Sequence, residues 1–144
     1  MYSDTLLALE RAHLLQIIVW GGASVLVGVV LLAFLAFRRT RSALLANFAI
    51  QCAVWGLAEV LLSGVRLRGL AHRDGAAAVT LDRLLWLNAG LDVGYMIVGA
   101  TLALTGWILG RRQGPMGAGM GIVLQGLALF VFDLRFVLAL SPYV

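Results

Sequence analysis

The sequence contains no lysine, a single cysteine and few charges of either sign. All eleven basic residues are arginine, which excludes Schiff-base and lysine-nucleophile chemistry. The sole cysteine, Cys52, excludes an intrachain disulfide and a cysteine-based metal site. Charged residues make up 12% and hydrophobic residues 62% of the 144 positions. This composition lies outside the range of soluble globular domains, so the lipid bilayer is the expected solvent.

Four long apolar stretches account for most of the chain, at 14–37, 43–65, 84–110 and 116–137. Each reaches the roughly 20 residues that a helix needs to cross about 30 Å of hydrocarbon. None has the two-residue alternation of a transmembrane β-strand. The sequence predicts an all-α membrane protein, one domain over 1–144 with four transmembrane helices. In the connection 66–83 we expect a short interfacial helix that starts near Thr80.

The arginines indicate how the helices are oriented. The two shortest loops contain arginine and no acid, at Arg38, Arg39, Arg41, Arg111 and Arg112. Basic loops favour the cytoplasm, which predicts a multi-pass inner-membrane protein with both termini outside. The opposite side carries six arginines, so the orientation depends on charge density in the tight loops. The arginines form no basic face with interleaved aromatics, and no nucleic-acid partner is expected.

Residues of the first half of the chain recur in the second half at an offset that drifts from 72 to 74 positions. Leu9-Glu10-Arg11 is echoed by Leu81-Asp82-Arg83. Further pairs follow at almost the same offset: Gln16 with Asn88, Gly22 with Gly94, Arg38 with Arg111, Gln51 with Gln125, and Glu59 with Asp133. This pattern predicts two tandem parallel two-helix repeats, 9–66 and 81–140. The alternative is chance, because helix ends resemble one another in any four-helix membrane protein.

Ionisable residues inside the predicted spans mark a polar layer. Glu59, Asp92 and Asp133 fall in the same outer half of the bilayer, where acids are rare. The second repeat has Asp92 where the first has Trp20, and it has also gained Arg135. A charge near hydrocarbon costs at least about 2.5 kcal/mol. We therefore expect Asp92 and Arg135 to approach one another across the third and fourth helices.

Two interpretations of this layer remain open. It is either an ion-paired clamp that holds the bundle, with Arg135 reaching for the outer surface, or a pocket for a cation or small solute. Asn88 and Tyr95 share a helical face with Asp92 by their three- and four-residue spacing. The candidate binding residues are Glu59, Asn88, Asp92, Tyr95, Asp133 and Arg135.

Two amides and several glycines are expected nearer the midplane. As repeat mates, Gln51 and Gln125 are predicted to face each other across a pseudo-twofold axis. They would serve as interhelical glue or, alternatively, as part of a permeation path. Small residues with four-residue spacing predict tight helix packing: Ser24 with Gly28, Gly90 with Gly94, and Gly117 with Gly121.

No cofactor, metal or enzymatic activity is predicted. His13 and His72 are the two histidines and fall near the outer interface, not inside the bundle as paired haem ligands would. The sequence has no phosphate loop, nucleophile elbow or zinc-helix motif. An enzyme acting on lipid would need a nucleophile or metal cluster at the interface.

The strings Leu87-Asn88-Ala89-Gly90-Leu91-Asp92-Val93-Gly94-Tyr95, Gln125-Gly126 and Phe132-Asp133-Leu134 resemble those of an uncharacterised family of small bacterial four-helix inner-membrane proteins. The resemblance covers mainly the second repeat and implies a bacterial inner membrane. It implies no activity and no binding residues.

Two classes of function fit these features. The first is a non-enzymatic accessory or scaffold subunit, which packs through its glycines against itself or a larger membrane complex. The second is a dimeric carrier for a small solute or cation, coupled to protons and using an outward-facing carboxylate pocket. The first is our expectation. The two differ in whether the acids are saturated by arginine or line an open cavity.

Overall fold

The computed structural model describes residues 2–143 and confirms the four predicted helices. They are α1 (Tyr2–Phe37), α2 (Ala43–Arg68), α3 (Gly75–Ile108) and α4 (Gln113–Leu140), followed by a 3₁₀ turn at Ser141–Tyr143. All four are long and apolar enough to cross a membrane. With 36 and 34 residues, α1 and α3 extend for about 50 Å. They are therefore longer than the hydrocarbon core of a bilayer.

The connection between α2 and α3 differs from the prediction. It spans only 69–74, because α2 continues to Arg68 and α3 starts at Gly75, so no separate helix begins near Thr80. The reason is local. Asp74 precedes α3, and its side chain accepts a hydrogen bond from the Ala77 backbone N–H at 2.8 Å. This cap satisfies a free donor of the first turn and lets the alanine-rich segment after it continue into the span.

The two turns at the opposite end of the bundle are tight. Ser42 caps α2 by accepting a hydrogen bond from the Leu45 N–H at 3.3 Å. Arg39 and Arg111 adopt positive φ angles of 51° and 57°, and Gly110 one of 85°. Left-handed residues of this kind reverse the chain in a few positions. Both arginine-rich turns therefore lie at the same end of the molecule.

The helices pack as two hairpins joined along one side. The largest contacts are between α1 and α2 and between α3 and α4, and α2 also packs on α4. A smaller interface joins α1 to α4, whereas α2 and α3 make no comparable contact in the described part of the chain. A cleft between α2 and α3 results, with α4 as its floor. The hairpins coincide with the two predicted repeats, but internal duplication stays a prediction.

Glycine brings the helices of each hairpin into backbone contact. A Cβ on Gly21 of α1 would stand 2.7 Å from the carbonyl oxygen of Gly56 on α2. In the second hairpin, a Cβ on Gly99 would stand 2.8 Å from the carbonyl oxygen of Gly119. Only glycine fits at such distances, and the contacts fix the axial register of the helices.

The predicted tight packing at Gly90 and Gly94 of α3 is wrong. Gly90 and Gly94 have no atom within 4 Å of an added Cβ, and Gly22 on α1 is equally open. These residues lie on outward faces, because the buried positions of α3 are Ala78, Leu85, Ala89, Asp92, Gly99 and Gly106 instead. The predicted packing is confirmed for Ser24 with Gly28 on α1 and for Gly117 with Gly121 on α4, because both pairs lie against α2.

A small hydrophobic core closes the end of the bundle that holds the α2–α3 connection. It joins α1, α3 and α4 through Leu6, Ala78, Leu85, Phe136, Val137 and Leu140. This core fixes the first turns of α1 against the last turns of α4. Polar residues that follow Leu6 on α1 are thereby directed toward the cleft.

Candidate functional site

Two adjoining cavities occupy the cleft. The inner cavity, of about 200 Å³, takes polar residues from three helices: Glu59, Ser63 and Arg66 of α2, Asn88, Asp92 and Tyr95 of α3, and Asp133 of α4. The outer cavity, of about 320 Å³, lies beside the α2–α3 connection and includes Glu10, His13, Arg73 and Phe136. Arg66 and Asn88 line both cavities. The two spaces therefore meet at these side chains.

Five of the six candidate binding residues line the inner cavity. They are Glu59, Asn88, Asp92, Tyr95 and Asp133. The α3 members project together because they are separated by three or four positions of one helix. Tyr95 also packs edge-on against Trp55 of α2, with ring centroids 5.0 Å apart. The structure thus assembles these residues, while a binding role for them stays a prediction.

Arg135 does not belong to this layer, and the predicted Asp92–Arg135 ion pair is wrong. Arg135 is exposed and lines neither cavity. None of the ion pairs between described residues joins it to Asp92. The physical reason is helical geometry. Asp133 points into the cleft, so a residue two positions later, about 200° around α4, points away from it.

The two deepest acids have hydrogen-bonding atoms without partners. Glu59 is 6% exposed, and neither of its carboxylate oxygens has a hydrogen-bond partner. Asp92 is 5% exposed, and its Oδ2 is likewise unpartnered. Asp133, the third carboxylate of the cavity, is 5% exposed. Burying such groups in charged form costs several kcal/mol unless a proton or another cation compensates them.

His13 connects the two cavities. Its Nε2 lies 3.2 Å from Oδ1 of Asp133, and both side chains are 8% exposed. The imidazole stacks on Phe136 with ring centroids 4.4 Å apart, and its Nδ1 is buried without a partner. Because His13 lines the outer cavity and Asp133 the inner one, the pair crosses the wall between them.

The position of His13 was not predicted. The sequence predicts a histidine near the outer interface rather than inside the bundle, whereas His13 is a buried residue of α1. The available signal was its spacing. Glu10, His13 and Ile17 follow one another at three and four residues, so all three occupy one buried face of the helix. The contact of His13 with Asp133 on α4 could not be predicted from the spacing of residues along α1.

Two polar contacts attach the α2–α3 connection to α1, an ion pair and a histidine–aspartate contact. Arg73 donates from Nε to Oε2 of Glu10 at 2.7 Å and from Nη2 to Oε1 at 2.6 Å. This two-bond pairing raises the pKa of the Arg73 guanidinium above its ordinary value. His72 Nε2 lies 3.2 Å from Oδ1 of Asp4. The outer cavity therefore has a charged rim whose acid and base already neutralise each other.

Gln125 turns toward α1 rather than toward Gln51. Its Oε1 accepts a hydrogen bond from Trp20 Nε1 at 2.7 Å, and its Nε2 donates to Ser24 Oγ at 3.2 Å. Gln51 is half-buried and packs beside Gly121, with no hydrogen bond to Gln125. The predicted pairing of the two amides is thus wrong, because the Gln125 side-chain carbonyl accepts its hydrogen bond from the indole N–H of Trp20.

The chemistry of the inner cavity is that of hydrogen-bond acceptors. Among residues 2–143, no group of three or more histidine, cysteine or acidic side chains is arranged to hold a metal ion. The cavity instead offers three carboxylates, one amide, one phenol and the Ser63 hydroxyl, with the Arg66 guanidinium where it meets the outer cavity. Carboxylates and aromatic rings of this kind suit protons and organic ammonium groups.

The chain belongs to a family of unknown function (DUF6992), whose model matches residues 16–134. No curated protein and no solved structure is similar to it. The matched range contains every residue that lines the inner cavity, from Ile17 to Asp133. It does not reach Glu10 or His13 of the outer cavity.

Proposed function

We propose that the protein is a proton-coupled carrier for a small organic cation, which binds in the inner cavity. One observation carries the proposal. Glu59, Asp92 and Asp133 come from three different helices to one cavity, and two of them have buried oxygens without partners. An ion-paired clamp would bring arginine to those oxygens, whereas Arg66, which lines the same cavity, forms no ion pair with another described residue.

Charge compensation explains why a proton and a cation would compete in this cavity. A buried carboxylate is stabilised by accepting a proton or by contacting a cation. A proton or a cation can each compensate the charge of Glu59 or Asp92, but the two cannot occupy the same carboxylate oxygen. Cation binding therefore releases protons, and proton binding releases the cation. This exchange is the basis of coupling in carriers that use intramembrane acids.

The His13–Asp133 pair supplies a route for the proton. His13 has Nε2 against Asp133 and a buried Nδ1 without a partner, and its side chain lines the outer cavity. A histidine in this position accepts a proton on one nitrogen and releases one from the other. In a bacterial inner membrane with both termini outside, the outer cavity would face the extracytoplasmic side.

A scaffold or accessory subunit remains the second candidate function. The observation in its favour is the open surface at Gly90 and Gly94 on α3. Glycines four residues apart on a lipid-facing surface allow a second helix to approach closely. A homo-oligomer or a larger complex would use this face, and a dimeric carrier would use it as well.

Proton release distinguishes the two functions. Protein purified into nanodiscs is titrated with methylammonium in weakly buffered solution, and proton release is followed with a pH indicator. We expect release from wild type and its loss in Glu59→Gln and Asp92→Asn. Asp82→Asn is the matched control, because Asp82 lies on α3 but lines neither cavity. Absence of both binding and release in folded wild-type protein would leave the scaffold function in place.

A further inference from the structure

Arg66 is an unpaired cation at the junction of the two cavities. It lines both of them, it is exposed, and none of the ion pairs between described residues includes it. Arg73, the other arginine of the outer cavity, is saturated by Glu10. Arg66 therefore has a guanidinium available to a ligand.

Opposite charges are separated along the cleft. Arg66 follows Glu59 by seven positions of α2, which is two helical turns on one face and about 10 Å along the axis. On α3, Asn88 lines both cavities, whereas Asp92, one turn further on, lines only the inner one. The cleft thus presents donors at the junction and unpartnered acceptors further in.

We propose that the solute is a zwitterion of the ω-amino acid class, with its ammonium group between Glu59 and Asp92 and its carboxylate on Arg66. This inference rests on the proposed carrier function and names its substrate class. Asn88 is placed to donate a further hydrogen bond to the carboxylate.

Charge complementarity favours a zwitterion over a simple cation. A simple cation would satisfy the acids but would leave Arg66 without a counter-ion and add a like charge beside it. A simple anion would leave Glu59 and Asp92 unpartnered. A planar guanidinium binds a carboxylate through two parallel hydrogen bonds, which is specific for that group. The two-turn separation on α2 favours charges separated by several methylene groups over an α-amino acid.

The test is a binding series on the full chain in nanodiscs, measured by isothermal titration calorimetry. The probes are the linear ω-amino acids from glycine to 6-aminohexanoate and the alkylamines of matching length. We expect affinity to rise from glycine to a maximum at one of the longer members. Arg66→Gln should lower the binding affinity for that member by about tenfold or more. The remaining affinity should equal that of the alkylamine of matching length. Arg68→Gln is the control, since Arg68 is exposed and lines neither cavity.

Each contrary outcome has a distinct meaning. Equal affinity of amine and zwitterion, or an equal loss of both in Arg66→Gln, would overturn the zwitterion assignment and leave the cation carrier standing. Failure of amines and zwitterions alike to bind folded wild-type protein would overturn the carrier function and this inference together. Folding is checked by size-exclusion chromatography and circular dichroism.

Discussion

Replacing Glu59 by methionine should stabilise the protein while removing its cation-binding signal. Both Glu59 oxygens are buried without partners in an apolar bundle. Leaving one buried polar group unsatisfied costs about 1–3 kcal/mol, and exchanging such a group for an apolar one of similar shape recovers part of that cost. Methionine has nearly the shape of glutamate and needs no hydrogen bond. We expect the free energy of unfolding to rise by about 1 kcal/mol, which is part of that cost.

The assay is reversible unfolding in mixed micelles of lipid, detergent and dodecyl sulfate, followed by helical circular dichroism. Gln51→Met is the matched control, because Gln51 is half-buried on the same helix and lines neither cavity. We expect the control to change stability by less than about 0.5 kcal/mol. A loss of more than about 1 kcal/mol in Glu59→Met would refute the reasoning, since it would mean that the carboxylate has a stabilising partner.

Three further predictions concern the packing and the polar contacts around the site. Gln125→Leu and Trp20→Phe should show a coupling energy of about 0.6–1.7 kcal/mol in a double-mutant cycle of unfolding, and additive effects would contradict the Trp20–Gln125 hydrogen bond. Gly119→Leu should abolish a monodisperse folded species because the α3 backbone lies against Gly119, whereas Gly94→Leu should elute as wild type; equal elution of both would refute this packing. Arg135→Gln should leave unfolding unchanged within about 0.5 kcal/mol, and a larger loss would restore its proposed ion pair.

The helices could be predicted from the sequence because length and hydropathy alone decide whether a segment spans a bilayer. All four exist as expected. Their ends could not be predicted from hydropathy, since helices continue beyond the hydrocarbon wherever caps and good helix formers allow. Asp74 is the clearest case, because its hydrogen bond to Ala77 begins α3 well before the apolar stretch does.

The part of the site that could be predicted from the sequence is the set of residues that share a face of one helix. Asn88, Asp92 and Tyr95 share a face by helical geometry, and the structure places all three in one cavity. Contacts between helices depend on axial register, which glycines set through backbone approaches such as that of Gly21 to Gly56. Sequence spacing does not encode that register. The His13–Asp133 pair was therefore missed, and Asp92 was given the wrong partner.

The predicted repeat pairs a closed interface of the bundle with the open interface that forms the cavity. In the predicted duplication, α1 corresponds to α3 and α2 to α4. The interface of α1 with α4 therefore corresponds to the interface of α3 with α2, and Trp20 corresponds to Asp92. The Trp20 indole lies edge-on against Phe132 at 6.0 Å and donates to Gln125, and there α1 and α4 pack directly. At the corresponding place α3 and α2 stand apart around the inner cavity, which Asp92 lines with an unpartnered oxygen.

Of these two corresponding positions, one thus holds the small acid Asp92 and the other the large aromatic residue Trp20. A bundle selected only for packing would gain from closing both interfaces with apolar side chains, since buried polar groups without partners destabilise it. Keeping one interface closed and the other open and acidic is costly for a scaffold. It fits the proposed carrier, in which the closed side would hold the hairpins together while the open side would admit a solute.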